Sequence, residues 1–594
     1  MEQHPIIVRF DALKTSAQPR QPLAPGRKRR LLLIYPPLTV PTSPPLGAPM
    51  LKAYIERELP QWQVKVLDLN LWCYGRVFEM LREGSLHFPA PLLGDAKLAE
   101  LLKIPAFFRG AHAASRAEDL FHDAAAYDRY GGLLAGLTNI VSEHLSRAAD
   151  ACENGAPTDP LLAQALQQIS REQADCYGIS MIFSQQLAVG ALFGRVLRQQ
   201  TGKKVFFGGS CFTAGAEDFL RWYPDSTDVI IDGDGEEPLK QLLEQEGSPK
   251  GVSGAVFWQG GQPGGQVARN PPQYRRDIDA YGGTPDFSDF NLTDYYSPLP
   301  VAPLLLSRGC YWRRCTFCVH YMSAGLTYRL HGLEQVVETL RGLVAQGVRH
   351  FSFVDEMIAP GHFVNLADAI IESGLDIAYY ALAKPNKAFK PEILRKMAQS
   401  GCKYLLWGVE SGSQRVLDLM DKGTQAQDMQ QVLRDAHAAG IANHVYLMAG
   451  FPTETREEFL DTLRFLERNR EVIYAIHRGV FALEPGSPIF KHPERFGVTK
   501  TWQVKPTSLG GRWMHECASG MTRQQASELL ASVQPYLRAF HPYAVMMAYY
   551  RDHAMLLYAQ RGMAGMRALP RRFPALPSLD APAPAQGAPQ PLPA

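Results

Sequence analysis

Short apolar runs recur along the first 245 residues, and each is followed by a stretch in which apolar positions have helical spacing. The pattern predicts strands at 31–35, 64–68, 176–182, 205–209 and 228–232. Strands that alternate with helices in this way form a parallel sheet covered by helices on both faces. We therefore predict a Rossmann-like, doubly wound parallel sheet over residues 29–245, with a mostly helical insertion at 71–172.

A second series of alternating strands and helices follows, with strands predicted at 303–307, 350–354, 376–382, 403–409, 443–448 and 476–482. Between the first two, apolar residues recur at i, i+3, i+4 and i+7, as in a helix packed on a sheet. Six such units predict an α/β domain of the partial (βα)6 TIM-barrel type over residues 296–495. Functional residues of such barrels lie at the carboxyl ends of the strands.

The remaining segments lack these patterns. Residues 246–295 are rich in Gly, Pro and Asp and are predicted to be a linker, and residues 496–565 are predicted to be a C-terminal helical region. The Pro- and Arg-rich residues 1–28 and the Pro- and Ala-rich residues 566–594 are predicted to be disordered tails.

Composition narrows the class of protein without fixing it. The 594 residues carry a formal net charge of only +2, so nothing in the charge indicates a nucleic-acid partner. The N-terminus lacks the plan of a signal peptide, and no apolar run is long enough for a membrane span. The nine cysteines are an odd number, and six of them are scattered, as is usual in a reducing compartment. We expect a cytoplasmic protein.

The other three cysteines, Cys310, Cys315 and Cys318, lie within nine residues, just after the first predicted barrel strand. Thiolates bind zinc or iron–sulfur clusters. A structural zinc site with His320 as its fourth ligand is one interpretation. A [4Fe-4S] cluster is the other, in which three cysteines leave one iron open. The large βα scaffold favours the cluster, because structural zinc usually stabilises small modules that lack a core.

This loop resembles the cluster loop of the radical S-adenosylmethionine (radical SAM) superfamily, and residues from about 300 to 490 are similar to its Elp3-like catalytic domain. The spacing here is CxxxxCxxC, one residue longer than the usual CxxxCxxC. The resemblance implies that the cysteines bind a [4Fe-4S] cluster and that other residues contact S-adenosylmethionine: Phe317, Lys384, Glu410, Ser411, Gly450 and Pro452.

Each of these positions also has a structural interpretation. Glu410 could cap a helix, Gly450 and Pro452 could form only a tight turn, and Lys384 could be a solvated surface lysine. The pair Asp355 and Glu356 follows the second barrel strand, where carboxylates could serve acid–base chemistry or substrate binding.

Residues 29–245 resemble the cobalamin-binding domain that precedes the barrel in one subset of this superfamily. The resemblance lies in Tyr35-Pro36-Pro37, in the Gly-Gly turn after the fourth predicted strand, and in Gly233-Asp-Gly-Glu-Glu. It implies cobalamin-binding roles for Ser184, Gly208, Gly209, Thr213 and Gly233. No Asp-x-His-x-x-Gly segment is present, so cobalamin is expected to have no histidine below its cobalt.

The resemblance implies that a 5'-deoxyadenosyl radical removes a hydrogen atom from an unactivated carbon, to which methylcobalamin then delivers a methyl group. Rearrangement or cyclisation without methyl transfer is an alternative outcome on the same scaffold. A non-catalytic, zinc-stabilised binding protein is the alternative from another class. For the enzyme, the expected partners are an electron donor such as flavodoxin or ferredoxin and a small-molecule or peptide substrate, with no nucleic acid.

Overall fold

The computed structural model describes residues 27–86, 95–109, 123–153, 155–156, 158–213, 215–325, 327–504, 513–541, 550–567 and 571–575. The predicted N-terminal tail lies almost wholly outside these residues. Within the ranges given, no helix is both long enough and apolar enough to cross a bilayer.

The N-terminal domain is built on a seven-stranded sheet with the order β2-β1-β3-β4-β5-β6-β7. Its strands are β1 (Arg29–Tyr35), β2 (Trp62–Asp68), β3 (Cys176–Ser180), β4 (Val205–Gly208), β5 (Val229–Ile231), β6 (Ala255–Trp258) and β7 (Val267–Arg269). The first five are parallel, as predicted, and the last two are antiparallel. The sheet is therefore mixed, with an antiparallel edge.

The strands β6 and β7 lie inside the stretch predicted to be a linker. Ala255-Val-Phe-Trp is a short apolar run, but Gly and Pro surround it and hide the strand signal. Because β6 pairs with β5, the N-terminal sheet continues beyond residue 245.

Helices cover both faces of this sheet. They are α1 (Gly47–Glu58), α2 (Leu69–Glu83), α3 (Asp95–Leu101), α4 (Ile104–Arg109), α5 (Ala124–Glu153), α6 (Pro160–Arg171), α7 (Leu187–Thr201), α8 (Ala216–Trp222) and α9 (Glu236–Glu244). The helices α1 and α9 share one apolar core with the sheet, and the insertion helices share another on the opposite face. The helical insertion is thus part of the domain's main core.

The second domain contains a six-stranded, wholly parallel sheet with the order β15-β14-β13-β12-β11-β8. Its strands are β8 (Val301–Leu304), β11 (His350–Phe353), β12 (Ala378–Ala383), β13 (Cys402–Glu410), β14 (Ala442–Ala449) and β15 (Ile473–Val480). The short strands β9 (Ser307–Arg308) and β10 (Arg329–Leu330) pair with each other beside it. This sheet has the six parallel strands predicted for a partial TIM-type barrel, and the predicted α/β fold class is confirmed.

The barrel helices are α10 (Leu333–Ala345), α11 (Pro360–Ser373), α12 (Pro391–Gln399), α13 (Gln414–Leu419), α14 (Ala426–Ala438), α15 (Arg456–Arg468) and α16 (Pro488–Lys491). They begin and end at recognisable signals: a capping box formed by Thr455 and Glu458 starts α15, and Gly374 ends α11 in the left-handed conformation. Their apolar faces share a core with one face of the strands, which includes Trp407 and Val445.

The C-terminal region contains the helices α17 (Arg523–Ser532), α18 (Gln534–Arg538) and α19 (Arg551–Arg567). It also contains a pair of antiparallel strands, β16 (Val498–Gln503) and β17 (Trp513–Cys517), which the prediction of a helical region did not include. Residues 571–575 belong to the predicted C-terminal tail, yet they pack on the barrel. Arg571 donates to the carbonyls of Arg470 and Ile473, and Phe573 contacts Phe540.

The helix α19 lies on the strand face opposite the barrel helices, which is the inner face of the partial barrel. Its Tyr558 stacks on Tyr404 of β13 with ring centroids 5.4 Å apart. Its residues Ala554 to Tyr558 also belong to the core beneath the N-terminal sheet. One helix therefore joins both domains.

Candidate active site

The cysteine loop follows β9 at the carboxyl edge of the barrel. Asp355, just beyond β11, is buried and holds the start of this loop: it accepts from Leu306 N at 3.1 Å and from Ser307 Oγ at 2.6 Å. Cys310 itself forms a parallel bridge with Met357. Asp355, which follows β11, therefore positions the start of the cysteine loop through hydrogen bonds.

The cysteine loop is docked on residues 419–423, which follow α13. Thr316 N donates to Met420 O at 2.9 Å, and Thr316 Oγ1 donates to Leu419 O at 3.0 Å. Trp312 Nε1 donates to Asp421 O at 2.7 Å. More than 100 residues separate these partners in the chain, so the loop takes its shape from a segment that no local motif identifies.

The three cysteines are half-buried and form no disulfide. Burial raises the pKa of the Cys315 thiol and raises that of Cys318 to about 12. Metal binding would have to displace these protons, since the thiolate is the ligand. Within the described part of the chain, no three Cys, His, Asp or Glu side chains stand at the separations of a single-ion metal site. His320 is 72% exposed, and its Nδ1 lies 3.7 Å from Glu356 Oε2.

Lys384 lies against the cysteine loop. Its side chain is only 2% exposed, so the alternative of a solvated surface lysine is wrong. Its Nζ lies 3.2 Å from the ring centroid of Trp312 and donates to Lys422 O at 3.2 Å. The pKa of Lys384 is lowered to about 8, chiefly by burial and also by the neighbouring Lys422, against the raising effect of the Cys315 and Cys310 thiols. The result is a buried cation beside the cysteines.

Glu410 forms an ion pair with Lys422, a residue that the sequence motifs do not single out. Lys422 Nζ lies 2.8 Å from Glu410 Oε1, and both side chains are largely buried. Glu410 has φ +66° at an irregularity in the pairing of β13 with β14. The helix-cap interpretation is wrong, because Ser413 caps α13 by accepting from Val416 N.

Phe317 completes this group of residues, since its ring centroid lies 5.9 Å from Lys422 Nζ. The structure therefore brings three of the predicted S-adenosylmethionine contacts, Phe317, Lys384 and Glu410, around one buried lysine. A Cβ at Gly408 would stand 2.8 Å from Lys422 Nζ and 2.9 Å from Glu410 Oε1, so a side chain there would displace the ends of both partners of this ion pair. The turn Asp421-Lys422-Gly423 was the available sequence signal for this lysine.

Ser411 has a structural role in the described conformation. It is fully buried, its Oγ lies 3.3 Å from Thr462 Oγ1 on α15, and it accepts from Ser413 N at 3.1 Å. These bonds fix the turn that follows Glu410 against the neighbouring helix.

The turn at Gly450 and Pro452 is held by a residue that the sequence analysis missed. Glu454 is fully buried, and its Oε2 accepts from Gly450 N at 2.6 Å. Gly450 has φ +73°, and a Cβ there would stand 2.6 Å from Ala526 Cβ, so a side chain would be strained and crowded. Burial raises the pKa of Glu454 to about 8, against the effect of the Gly450 and Phe451 amides.

The raised pKa of Glu454 predicts a pH-dependent stability. The folded protein keeps this proton up to about pH 8, whereas the unfolded chain loses it near the ordinary value of 4.5. The free energy of unfolding should therefore fall as pH rises between these values, by up to about 1.4 kcal/mol per pH unit. The side chain of Glu454→Gln is neutral at every pH. The melting temperature of this variant, relative to that of the wild type, should therefore increase between pH 5.5 and about 7.5.

Glu458 is the matched control, because Arg415 and the start of α15 hold its pKa at about 2. Glu458→Gln should lower the melting temperature throughout the same pH range. If Glu454→Gln instead runs parallel to the wild type, Glu454 is ionised in the folded protein.

The predicted cobalamin-binding residues lie at the carboxyl edge of the N-terminal sheet. Gly208 ends β4, Gly209 and Thr213 flank the short helical turn that follows it, and Ser184 begins the turn after β3. Gly209 has φ +115°, and a Cβ there would stand 2.0 Å from Met181 O. Close approach of two backbone segments therefore already requires this glycine, independently of any ligand.

Buried Gln186 fixes the edge around Ser184. Its side chain accepts from Ile182 N at 2.9 Å and donates to Pro36 O at 2.7 Å. Phe183, which precedes Ser184, is a large apolar side chain that is 46% exposed at this edge. The edge thus offers backbone turns and an apolar ring, a surface that suits a large ligand.

The Gly233–Glu237 motif connects the two domains. Asp234 and Glu236 form ion pairs with Arg308 of β9, and Asp234 pairs as well with Arg329 of β10, where Nη1 and Oδ2 are 2.6 Å apart. All four side chains are at most 10% exposed. Burial alone would raise the pKa of Asp234, but the two guanidinium groups hold it below its usual value. We call these four residues the interdomain ion cluster.

Gly233 lies at the same junction. A Cβ there would stand 3.1 Å from the hydroxyl of Tyr274, which donates to Met322 O just after the cysteines. The carboxyl edge of the N-terminal sheet and the cysteine loop are therefore next to each other.

Residues 304–466 match the family described as the Radical SAM superfamily. This stretch contains the cysteine loop and most of the barrel. The barrel therefore contains a radical SAM domain, and such a domain implies a [4Fe-4S] cluster and S-adenosylmethionine as cofactors.

Curated relatives match less than half of the chain. The chain is 28% identical over 272 residues to an uncharacterized methyltransferase of Pyrococcus horikoshii, covering 44% of this chain and 58% of that protein. It is 31% identical over 252 residues to bacteriochlorophyllide d C-12(1)-methyltransferase of Chlorobaculum tepidum, covering 39% and 53%. The chain spans about half the length of these relatives.

A solved structure is similar over both domains. It is the cobalamin-dependent S-adenosylmethionine radical enzyme OxsB with aqua-cobalamin bound, with a TM-score of 0.58 and 15% identity over 86% of this chain and 68% of that one. At this identity the likeness shows the fold alone, and it extends to the N-terminal domain.

Proposed function

We propose that the protein is a cobalamin-dependent radical SAM methyltransferase that acts on an unactivated carbon. The observation that carries the proposal is the interdomain ion cluster, because it joins the Gly233–Glu237 motif directly to the strand that leads into Cys310. A cofactor at the edge of the N-terminal sheet and one at the cysteines would then face the same space. The names of the two curated methyltransferases support this choice.

The cysteine loop suits a [4Fe-4S] cluster, with Cys310, Cys315 and Cys318 as ligands and one iron left for S-adenosylmethionine. When bound, the cluster supplies the electron that cleaves the sulfonium of that cofactor. The chain's own part is to orient the cofactor. Lys384 offers a buried cation for its carboxylate, Glu410 offers an acceptor, and the Gly450 turn offers backbone groups.

The carboxyl-edge turns that contain Ser184, Gly208, Gly209, Thr213 and Gly233 would hold cobalamin. When bound, it would carry the methyl group to be transferred. The loops at this edge, residues 36–46, 181–186 and 209–213, contain no histidine. The exposed ring of Phe183 fits an apolar contact with such a cofactor.

The proposal includes the conditions and partners of turnover. All nine cysteines are free, which suits the reducing cytoplasm. A flavodoxin or ferredoxin would reduce the cluster, and the acceptor would be a small molecule or a peptide and not a nucleic acid.

Turnover with S-adenosylmethionine labelled in its methyl group tests the reaction. Anaerobic protein with cluster and cobalamin should form 5'-deoxyadenosine and transfer label to the product, both followed by chromatography. Formation of 5'-deoxyadenosine without transfer of label would eliminate methylation and leave rearrangement or cyclisation.

Replacement of Lys384 tests the cofactor site by binding alone. Lys384→Met keeps the length of the buried side chain but removes a charged contact worth about 1.5–3 kcal/mol, so the Kd for S-adenosylmethionine should rise about 10- to 100-fold. Calorimetric titration of the cluster-containing protein measures this. Lys387→Met, at an exposed position three residues away, should bind as the wild type does. Equal affinities for all three proteins would remove Lys384 from the site.

A further inference from the structure

The inner face of the barrel carries a group of aromatic, imidazole and guanidinium side chains below the residues discussed so far. We call Tyr404, His444, Tyr446, His477 and Arg551 the inner chamber. Tyr446 pairs in register with Gly408, two residues before Glu410, so the chamber adjoins the proposed S-adenosylmethionine site.

The rings of the inner chamber are tightly organised. His444 and Tyr446 stack with centroids 5.2 Å apart and an interplanar angle of 5°. Tyr446 and His477 have centroids 5.0 Å apart, and the Tyr404 hydroxyl lies 2.6 Å from His444 Nδ1. This arrangement fixes the side chains before any ligand is present.

Two buried polar atoms in the chamber have no hydrogen-bond partner in the structure, His444 Nε2 and the Tyr446 hydroxyl. His444 is completely inaccessible to solvent. Leaving a buried polar group without a partner costs about as much as a lost hydrogen bond, so such groups in a native protein usually await a ligand or water.

Arg551 supplies the charge of the chamber. Its guanidinium lies over the face of Tyr446, with Cζ 5.5 Å from the ring centroid. No ion pair joins it to a carboxylate among the residues that the structure describes. The adjacent Asp552 lies within electrostatic range of Arg551, but its two oxygens accept from Tyr380 OH at 3.0 Å and from Thr42 Oγ1 at 2.6 Å.

The other charged and titratable groups near the chamber do not neutralise Arg551. Glu410 is paired with Lys422, and Arg478 adds a further cation near His477. Burial lowers the pKa of His477 to about 4 and that of neighbouring His541 to about 3, so both are neutral at pH 7. A guanidinium that lies over an aromatic face, with no described carboxylate at ion-pair distance, has N–H groups suited to bind an anion.

We propose that the inner chamber binds the substrate through an anionic group, a carboxylate or a phosphate, held by Arg551 with His444 and Tyr446 as hydrogen-bond partners. The inference rests on the proposed function, which it extends by naming the class of substrate. Stacked rings beside the guanidinium would accommodate a planar or apolar part of the same molecule.

Binding of small aromatic probes tests the chamber without turnover. The probes are benzoate, phenyl phosphate and uncharged benzamide, followed by ligand-observed NMR on the full-length protein. At least one anion should bind about 10-fold or more tightly than benzamide, and Arg551→Gln should abolish that preference. Arg551→Lys should retain part of it, and Arg341→Gln, on the exposed face of α10, should leave it unchanged.

The outcomes separate the possibilities. Preference for benzoate or for phenyl phosphate identifies the anion as a carboxylate or a phosphate. Equal binding of benzamide, no binding of any probe, or an anion preference that survives in Arg551→Gln would overturn the proposal. If Arg551→Gln does not fold, comparing the probes on the wild type and on Arg551→Lys still shows whether Arg551 is responsible for the anion preference. Because no turnover is needed, failure here is distinct from failure of the methyl-transfer assay.

Discussion

Replacing Cys315 with Ala is expected to abolish cleavage of S-adenosylmethionine. Formation of 5'-deoxyadenosine should fall at least about 100-fold, which corresponds to about 2.8 kcal/mol of lost transition-state stabilisation. The thiol lies on the loop that Thr316 and Trp312 dock onto residues 419–423, so the substitution removes a ligand without removing these anchors. Cluster content, measured as iron and sulfide per chain after anaerobic reconstitution, should fall with activity.

Cys152→Ala is the matched control, because Cys152 lies on α5 in the N-terminal domain and is likewise partly buried. It should retain the wild-type iron content, activity and melting temperature. Colourless wild-type protein that holds zinc in place of iron would refute the assignment. So would a Cys315→Ala protein that still cleaves the cofactor.

Asp234→Asn is expected to destabilise the junction between the domains. It removes the carboxylate that pairs with both Arg308 and Arg329, and leaves two buried guanidinium groups short of one counter-charge. Breaking a buried pair in this way costs about 3–5 kcal/mol. The melting temperature should fall on the order of 10 °C, and the loss can be followed by calorimetry.

Glu217→Gln provides the comparison for this variant. Glu217 pairs with Arg221 on α8, but both side chains are about half exposed, and such pairs are worth at most about 1 kcal/mol. It should melt close to the wild type. If Asp234→Asn does the same, the interdomain ion cluster contributes no more than a surface pair, and the main support for a shared cofactor space is lost.

The sequence predicts most strands and the cysteine loop because both have local signals. Apolar runs such as Leu31–Tyr35 are strands wherever they occur in a βα series, and the three cysteines lie within nine residues. The strand β6 escaped prediction because its short apolar run lies among Gly and Pro. The docked residues 571–575 escaped because they are only five residues long and have neither helical nor strand periodicity, although they include Arg571 and Phe573.

The site residues were missed for a different reason, which is that their partners lie far away along the chain. Lys422 matters because its segment meets the cysteine loop more than 100 residues earlier, and Arg308 matters because it pairs with Asp234, which lies 74 residues earlier. Charged residues with such partners look like ordinary surface residues in the sequence. Phe317, Lys384 and Glu410 could be selected in advance, because their positions match those of recognisable motifs.

The helix α19 has a consequence for biosynthesis. It is synthesised after every strand of both sheets, yet its Ala554 to Tyr558 belong to the same apolar core as Leu32 and Ile34 of β1. Nascent chains that lack it would expose this apolar surface, and exposed apolar surface binds chaperones and promotes aggregation. Maturation with cofactors should therefore follow the synthesis and docking of α19.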